Sequence, residues 1–364
     1  MKPWLLGLSL LAAFPAFAAS PWREALPDWV YEFPRDHHAH SEFKTEWWYV
    51  TGNLKSDRGR EFGFQLTFFR QGVRRGEEVR TRFAPRDIKL AHFAVTDVQG
   101  GGFRFAQKVS RGAFGEAGFS EGAKIAWIDD WELRQDGAGS FSLRAGEGDL
   151  RLVLDLRAGK PPVFHGERGV SQKSEGAGRG SHYYSFTRME ARGKLSRGPD
   201  EEEVSGEAWF DQEWATNQLA ENQTGWDWLS LQFDDGSELM LFQIRLKEGG
   251  RDSHSHGTWV GADGSVVPVK NQDFELRPGR VWRSAETGAA YPVEWRVRIP
   301  KLDLEVDLSP ALDRQELVLK PVAYWEGSMR AQGTRAAKPL AGRGYLEMTG
   351  YATGLVGLQA PEAR

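Results

Sequence analysis

One hairpin signature is written twice in this chain. Asp57-Arg58-Gly59-Arg60-Glu61 joins the run Trp47–Leu54 to the run Glu61–Phe69, and Asp234-Asp235-Gly236-Ser237-Glu238 joins Trp226–Phe233 to Glu238–Lys247. Each copy has an aromatic approach, Glu46-Trp47-Trp48-Tyr49 in the first and Trp226-Asp227-Trp228 in the second. Each then has a D-x-G-x-E turn and an apolar run that ends in arginine, Arg70 or Arg245. Asp-x-Gly between two strand-like runs reads as a tight turn, because glycine tolerates the positive φ that such turns need. A hairpin repeated in both halves predicts two copies of one β-domain.

The rest of the chain has the same character. Short aromatic or β-branched runs bounded by Gly, Asp or Pro follow one another, and Leu150-Arg151-Leu152-Val153-Leu154-Asp155-Leu156 alternates as a strand with one buried face should. The 42 glycines and 15 tryptophans fit a turn-rich β-protein. Helical periodicity is nearly absent, with room for one turn at 309–315. Arg197–Glu203 reads as a polar hairpin connection. Such a string of antiparallel strands predicts a sandwich or an up-and-down barrel. The polar stretch Asn217–Thr224 predicts a boundary, giving domains at 19–220 and 221–357.

The N-terminus reads as an export signal: Lys2, an apolar run Leu5–Ala13, and the cleavage motif Ala16-Phe17-Ala18. Residues 1–18 are therefore expected to be removed and the mature protein to work in a bacterial periplasm. No later run is long and apolar enough to form a transmembrane helix. The chain has no cysteine, so disulfides, thiol nucleophiles and cysteine metal ligands are excluded. The 47 basic and 51 acidic residues give no electrostatic case for a nucleic-acid partner.

Several segments together resemble a known family. They are Asp36-His37-His38-Ala39-His40, Glu46-Trp47-Trp48-Tyr49 with Gly52-Asn53-Leu54, His182-Tyr183-Tyr184-Ser185, Trp209-Phe210-Asp211-Gln212-Glu213-Trp214, Trp226-Asp227-Trp228 and Gly344-Tyr345-Leu346-Glu347. In this order they are similar to the exported AttH-type proteins, relatives of the bacterial carotenoid 1,2-hydratases. The resemblance implies an all-β fold of two consecutive lipocalin-like antiparallel barrels. It also implies an extended isoprenoid- or lipid-like ligand and an association with an envelope ABC transporter. The hydratases carry a His-x-Trp pair and, some 25 residues on, a Tyr-x-Asp pair. His182 and Asp211 match that pattern, whereas Tyr184 stands where Trp is expected and Trp209 where Tyr is expected.

Two functions follow as expectations. In one, the chain binds an apolar ligand in or between the barrels through Trp47, Trp48, Tyr49, Trp214, Trp226 and Trp228. In the other, it hydrates a C=C bond without a cofactor. Asp211 is then the acid if burial raises its pKa, Tyr184 and Trp209 face the cation, and His182 orients Asp211 or the water. The bland alternative makes Asp211 and His182 structural polar groups and fills the barrels with side chains. His37, His38 and His40 with Glu42 and Glu46 have zinc-ligand chemistry, but read mainly as a plug packed against Trp47 and Trp48, so no metal is expected.

Overall fold

The computed structural model describes residues 20–75, 84–319 and 322–352. The predicted signal (1–18) and residues 353–357 of the second predicted domain lie outside them. Among the described residues regular structure is β-strand apart from four single 3-10 turns, and no helix is long and apolar enough to cross a membrane.

The first sheet contains β1 (Thr45–Ser56), β2 (Glu61–Gly72), β3 (Asp87–Asp97), β4 (Gly102–Ser110), β5 (Ala117–Glu121), β6 (Lys124–Ile128), β7 (Trp131–Gly137), β8 (Ser140–Glu147) and β9 (Leu150–Ala158). Two short pieces, β10 (Val163–Phe164) and β11 (Val170–Gln172), precede the long hairpin of β12 (Gly180–Arg197) and β13 (Asp200–Ala215). The strand order is β4-β3-β2-β1-β13-β12-β9-β8-β7-β6-β5. The last strand thus returns beside the first, as in an up-and-down barrel, and the open seam lies between β4 and β5. Since β4 packs against β6 and β8, the sheet curls nearly shut.

The second sheet repeats this plan with β14 (Gln223–Phe233), β15 (Glu238–Leu246), β16 (His256–Val260), β17 (Val266–Val269) and β18 (Glu275–Pro278). It continues past a two-stranded ribbon, β19 (Val281–Arg283) and β20 (Ala290–Pro292), to β21 (Trp295–Ile299), β22 (Leu304–Pro310), β23 (Glu316–Val318), β24 (Ala323–Arg335) and β25 (Lys338–Met348). Here β14 lies between β15 and β25, as β1 lies between β2 and β13.

Both D-x-G-x-E motifs form the expected turns. Gly59 and Gly236 take φ of 78° and 81°, and their amides close on Ser56 O and Phe233 O at 2.9 and 3.1 Å. The glutamates that end the motifs reach across to the other sheet. Glu61 binds Arg330 and Arg343, while the fully buried Glu238 binds Lys160 and Arg188. The repeated motif is therefore also a reciprocal clamp between the sheets.

Two expectations about local structure change. The Arg197–Glu203 connection is only a turn at 198–199, because Glu202 and Val204 point inward and continue the strand alternation. The 309–315 region holds no helical turn; β22 extends through Pro310.

Three cores result. One fills the first barrel around Trp48, Phe64, Trp131 and Leu152, and one fills the second around Trp259, Tyr291 and Trp325. Each such aromatic contributes roughly 2–3 kcal/mol through burial. The chain ahead of β1 plugs the first barrel: Trp29 and Tyr31 pack on its core, Trp48 Nε1–H donates to His37 O at 3.0 Å, and the His40 ring stacks on Trp214 at 3.7 Å. The third core lies where the outer faces of the two sheets meet. It is built from Tyr49, Tyr183, Trp209, Trp228, Met240 and Tyr345.

Candidate functional site

A cavity of about 340 Å³ opens in that third core, within the size range of small-molecule sites. Strand register explains which side chains reach it. Residues directly opposite in a ladder share a face, and alternate residues along a strand share it too. On the first sheet the pairs His92↔Thr67, Thr67↔Tyr49, Tyr49↔Asp211 and Asp211↔Ser185 make one row across β3, β2, β1, β13 and β12. The next row, two residues along, holds Leu90, Phe69, Trp47, Glu213 and Tyr183. On the second sheet Phe242, Trp228, Glu347 and Glu326 make the facing row.

Asp211 is buried in this wall. Its Oδ1 accepts three hydrogen bonds: from Tyr183 Oη–H at 2.9 Å, from Trp209 Nε1–H at 2.9 Å, and from Ser185 Oγ–H. Its Oδ2 has no partner among the described residues. Burial outweighs the three donors and pushes the carboxyl up to about 7. Each donor is itself held. Trp228 Nε1–H donates to Tyr183 Oη at 3.1 Å. His165 lies 2.7 Å from Ser185 Oγ through Nε2 and 2.9 Å from Thr258 Oγ1 through Nδ1. Burial drives the His165 pKa far down, so the ring is neutral; with Ser185 donating to Asp211, Nε2 carries the His165 proton.

Two further carboxyls stand on the second sheet. Glu347 lines the cavity, accepts from Trp226 Nε1–H at 2.8 Å, and is pushed up to about 7 by burial. Glu326 accepts from Tyr49 Oη–H, its other oxygen has no partner among the described residues, and burial raises its pKa well above the carboxylate range. The site is thus an aromatic chamber with acids on both walls.

Of the residues singled out from sequence, Trp47, Tyr49, Trp226, Trp228 and Asp211 line the cavity. Trp209 sits behind Asp211 and holds it. Trp48 and Trp214 belong to the first barrel's interior. The expected grouping of His182 and Tyr184 with Asp211 is corrected, because both point to the opposite face of the sheet. Tyr184 Oη donates to Gln212 Oε1 at 2.6 Å and meets His37 Nδ1 at 2.7 Å. The His182 ring packs against Trp29 and Trp214, and burial pushes it down to about 3. The cause is a β-bulge. Pairing outward from the β12–β13 turn runs Arg197↔Asp200 to Met189↔Ala208, then slips by one to Phe186↔Phe210. Without the slip Asp211 would face Phe186, and Tyr184 and His182 would share its face. The extra residue substitutes Ser185 and Tyr183.

The histidines of the plug do not converge. His37 meets Tyr184, and His40 bridges Glu46 at 2.7 Å and Asp36 at 3.3 Å. Sequence reading missed Tyr183, Ser185, His165, Glu347 and Glu326. The only signal for Tyr183 and Ser185 was their adjacency to the motif residues. For Glu347 it was its place in the Gly344–Glu347 segment, and His165 and Glu326 carried none.

Fold and site together define an all-β protein of two consecutive lipocalin-like barrels with an acid-bearing cavity between them. The chain belongs to the AttH-like family, whose model matches residues 24–351. Its fold is similar to that of an AttH protein from Nitrosomonas europaea, with 36% identity, a TM-score of 0.82, and coverage of 91% of this chain and 99% of that one. It is also similar to kievitone hydratase from Nectria haematococca, with 14% identity, a TM-score of 0.71, and coverage of 92% and 97%. No curated protein matches the sequence.

Proposed function

We propose that the protein acts in the cavity between its barrels, where Asp211 protonates a carbon–carbon double bond of an apolar ligand and water adds to the resulting cation. The observation that carries this reading is the asymmetry of the Asp211 carboxyl: among the described residues Oδ1 accepts three hydrogen bonds and Oδ2 none. With Oδ1 saturated, the proton of the neutral acid belongs on Oδ2. A carboxyl at about 7 holds and releases that proton near neutral pH, which suits a general acid. Transfer to one alkene carbon leaves a cation on the other. The faces of Trp47 and Trp228 stabilise it by ~1–2 kcal/mol each in a dry site. Water bonds to the cation, and its surplus proton passes to Glu347 on the second sheet. Return of a proton from Glu347 to Asp211 restores the resting state, so the net reaction is alkene plus water to alcohol. Tyr183, Ser185 and Trp209 are positioning residues for Asp211.

The Nectria haematococca neighbour is called a hydratase, but at 14% identity the likeness reaches fold alone, and the reading rests on Asp211. The signal-like N-terminus supports action after export to the periplasm, with an ABC-transporter system as the partner that the resemblance suggests. A second reading, carriage of the same ligand without chemistry, is favoured by the aromatic walls of Trp47, Trp226 and Trp228.

The test is mass spectrometry of products from acyclic carotenoids and shorter isoprenoid alkenes in detergent, incubated in isotopically labelled water with wild type and Asp211→Asn. A labelled water adduct from wild type alone supports hydration. Equal turnover by Asp211→Asn refutes it, and ligand retention without product from either protein favours carriage.

A further inference from the structure

The cavity has a second polar end. In the row that carries Asp211, His92 stands three strands away, on β3. At about 4.8 Å per strand that separation is roughly 14 Å. His92 lines the cavity with Gln107 of β4 and Tyr324 of β24. Its Nε2 lies 3.0 Å from Gln107 Nε2, and its Nδ1 lies 2.8 Å from Tyr324 Oη. An amide nitrogen can only donate, so Nε2 is the acceptor and Nδ1–H donates to the Tyr324 oxygen. Burial pushes His92 down to about 3 and Tyr324 well up, so the ring stays neutral and the phenol keeps its proton. That phenolic proton has no acceptor among the described residues. A buried donor left without a partner is costly, and a bound ligand can supply one.

We infer that Tyr324, set by His92 and Gln107, receives a hydroxyl oxygen of the ligand, so that the substrate class is an apolar chain with an alcohol at one end and its reacting double bond roughly 14 Å away. The inference rests on the proposed use of the cavity, but it concerns selection of the ligand rather than its chemistry. The hydroxyl accepts from Tyr324 Oη–H, while the Gln107 side-chain oxygen, which makes no hydrogen bond to the described residues, accepts the ligand's own proton. Thr67, Phe69 and Leu90 provide the apolar path between the two ends. His92 is a positioning residue: it fixes the phenol so that its proton points away from the ring.

Binding alone tests this. Farnesol and the hydrocarbon farnesene, each dissolved in phosphatidylcholine vesicles, are mixed with mature protein, and the share drawn into the protein is measured by mass spectrometry. Wild type should prefer farnesol about tenfold or more, after correction for each compound's partition into the vesicles. Tyr324→Phe should lose that preference while still taking up farnesene, which shows that its cavity is intact. Equal uptake of the two compounds by wild type, or an undiminished preference in Tyr324→Phe, overturns the inference. Loss of hydration by Asp211 variants leaves it standing, and failure of the alcohol preference leaves the acid mechanism standing.

Discussion

Replacing Asp211 with asparagine should leave stability unchanged below about pH 4 and stabilise the protein increasingly as pH rises from 4 to 7. Folding moves this carboxyl from an ordinary 3.8 to about 7 because burial strips water from the carboxylate. The folded state therefore binds the proton more tightly than the unfolded chain. Stability from this group is complete below pH 4 and is lost as pH rises toward 7. Three pH units at about 1.4 kcal/mol each make the loss roughly 4 kcal/mol by pH 8. Asparagine has the shape of the neutral acid, its Oδ1 can keep the donors from Tyr183, Ser185 and Trp209, and it never ionises. Unfolding entropy of about 2.1 cal/mol/K per residue over the chain converts 4 kcal/mol into roughly 5 °C in Tm, if the two barrels unfold together. Differential scanning calorimetry of both proteins from pH 4.5 to 8.5 measures this directly. The Tm difference should be only about 1 °C at pH 4.5, grow steadily to pH 7 and level off above it. A difference that does not vary with pH would mean that Asp211 is an ordinary carboxylate. The acid mechanism would then lose its proton donor.

Tyr183→Phe deletes one of the three donors that hold the Asp211 pKa down. The alkaline limb of the hydration rate profile should shift upward in pH, with KM little changed; an unmoved limb would detach Tyr183 from the acid. The neighbours Trp47 and Trp48 should separate function from stability. Trp48→Ala empties the first barrel's core and should cost ~3–5 kcal/mol in a urea melt, whereas Trp47→Ala should weaken uptake of farnesene with a much smaller loss of stability. The reverse pattern would put the ligand inside the barrel.

The hairpins and the all-β class were legible because they are local. Asp-x-Gly turns and strand alternation are set by residues that touch along the chain, so two copies of Asp57–Glu61 chemistry announced two copies of one architecture. The aromatic character of the site was equally visible, since 15 tryptophans must be buried or line something. The facing of those aromatics was not. A strand repeats every two residues, so one extra residue between Phe186 and Met189 exchanges Tyr184 for Tyr183 and His182 for Ser185 beside Asp211. No local pattern marks that bulge. Nor does the sequence near Asp211 name Glu347 or Tyr324, which reach the same cavity from separate parts of the chain, or His165, which holds Ser185 from behind. The sequence by itself determined two copies of one antiparallel β-domain, their turns and the presence of an acid among aromatics. Only tertiary packing decided that the acid faces a cavity between the barrels and carries its proton near neutral pH, because desolvation is a property of what closes over a group from a distance.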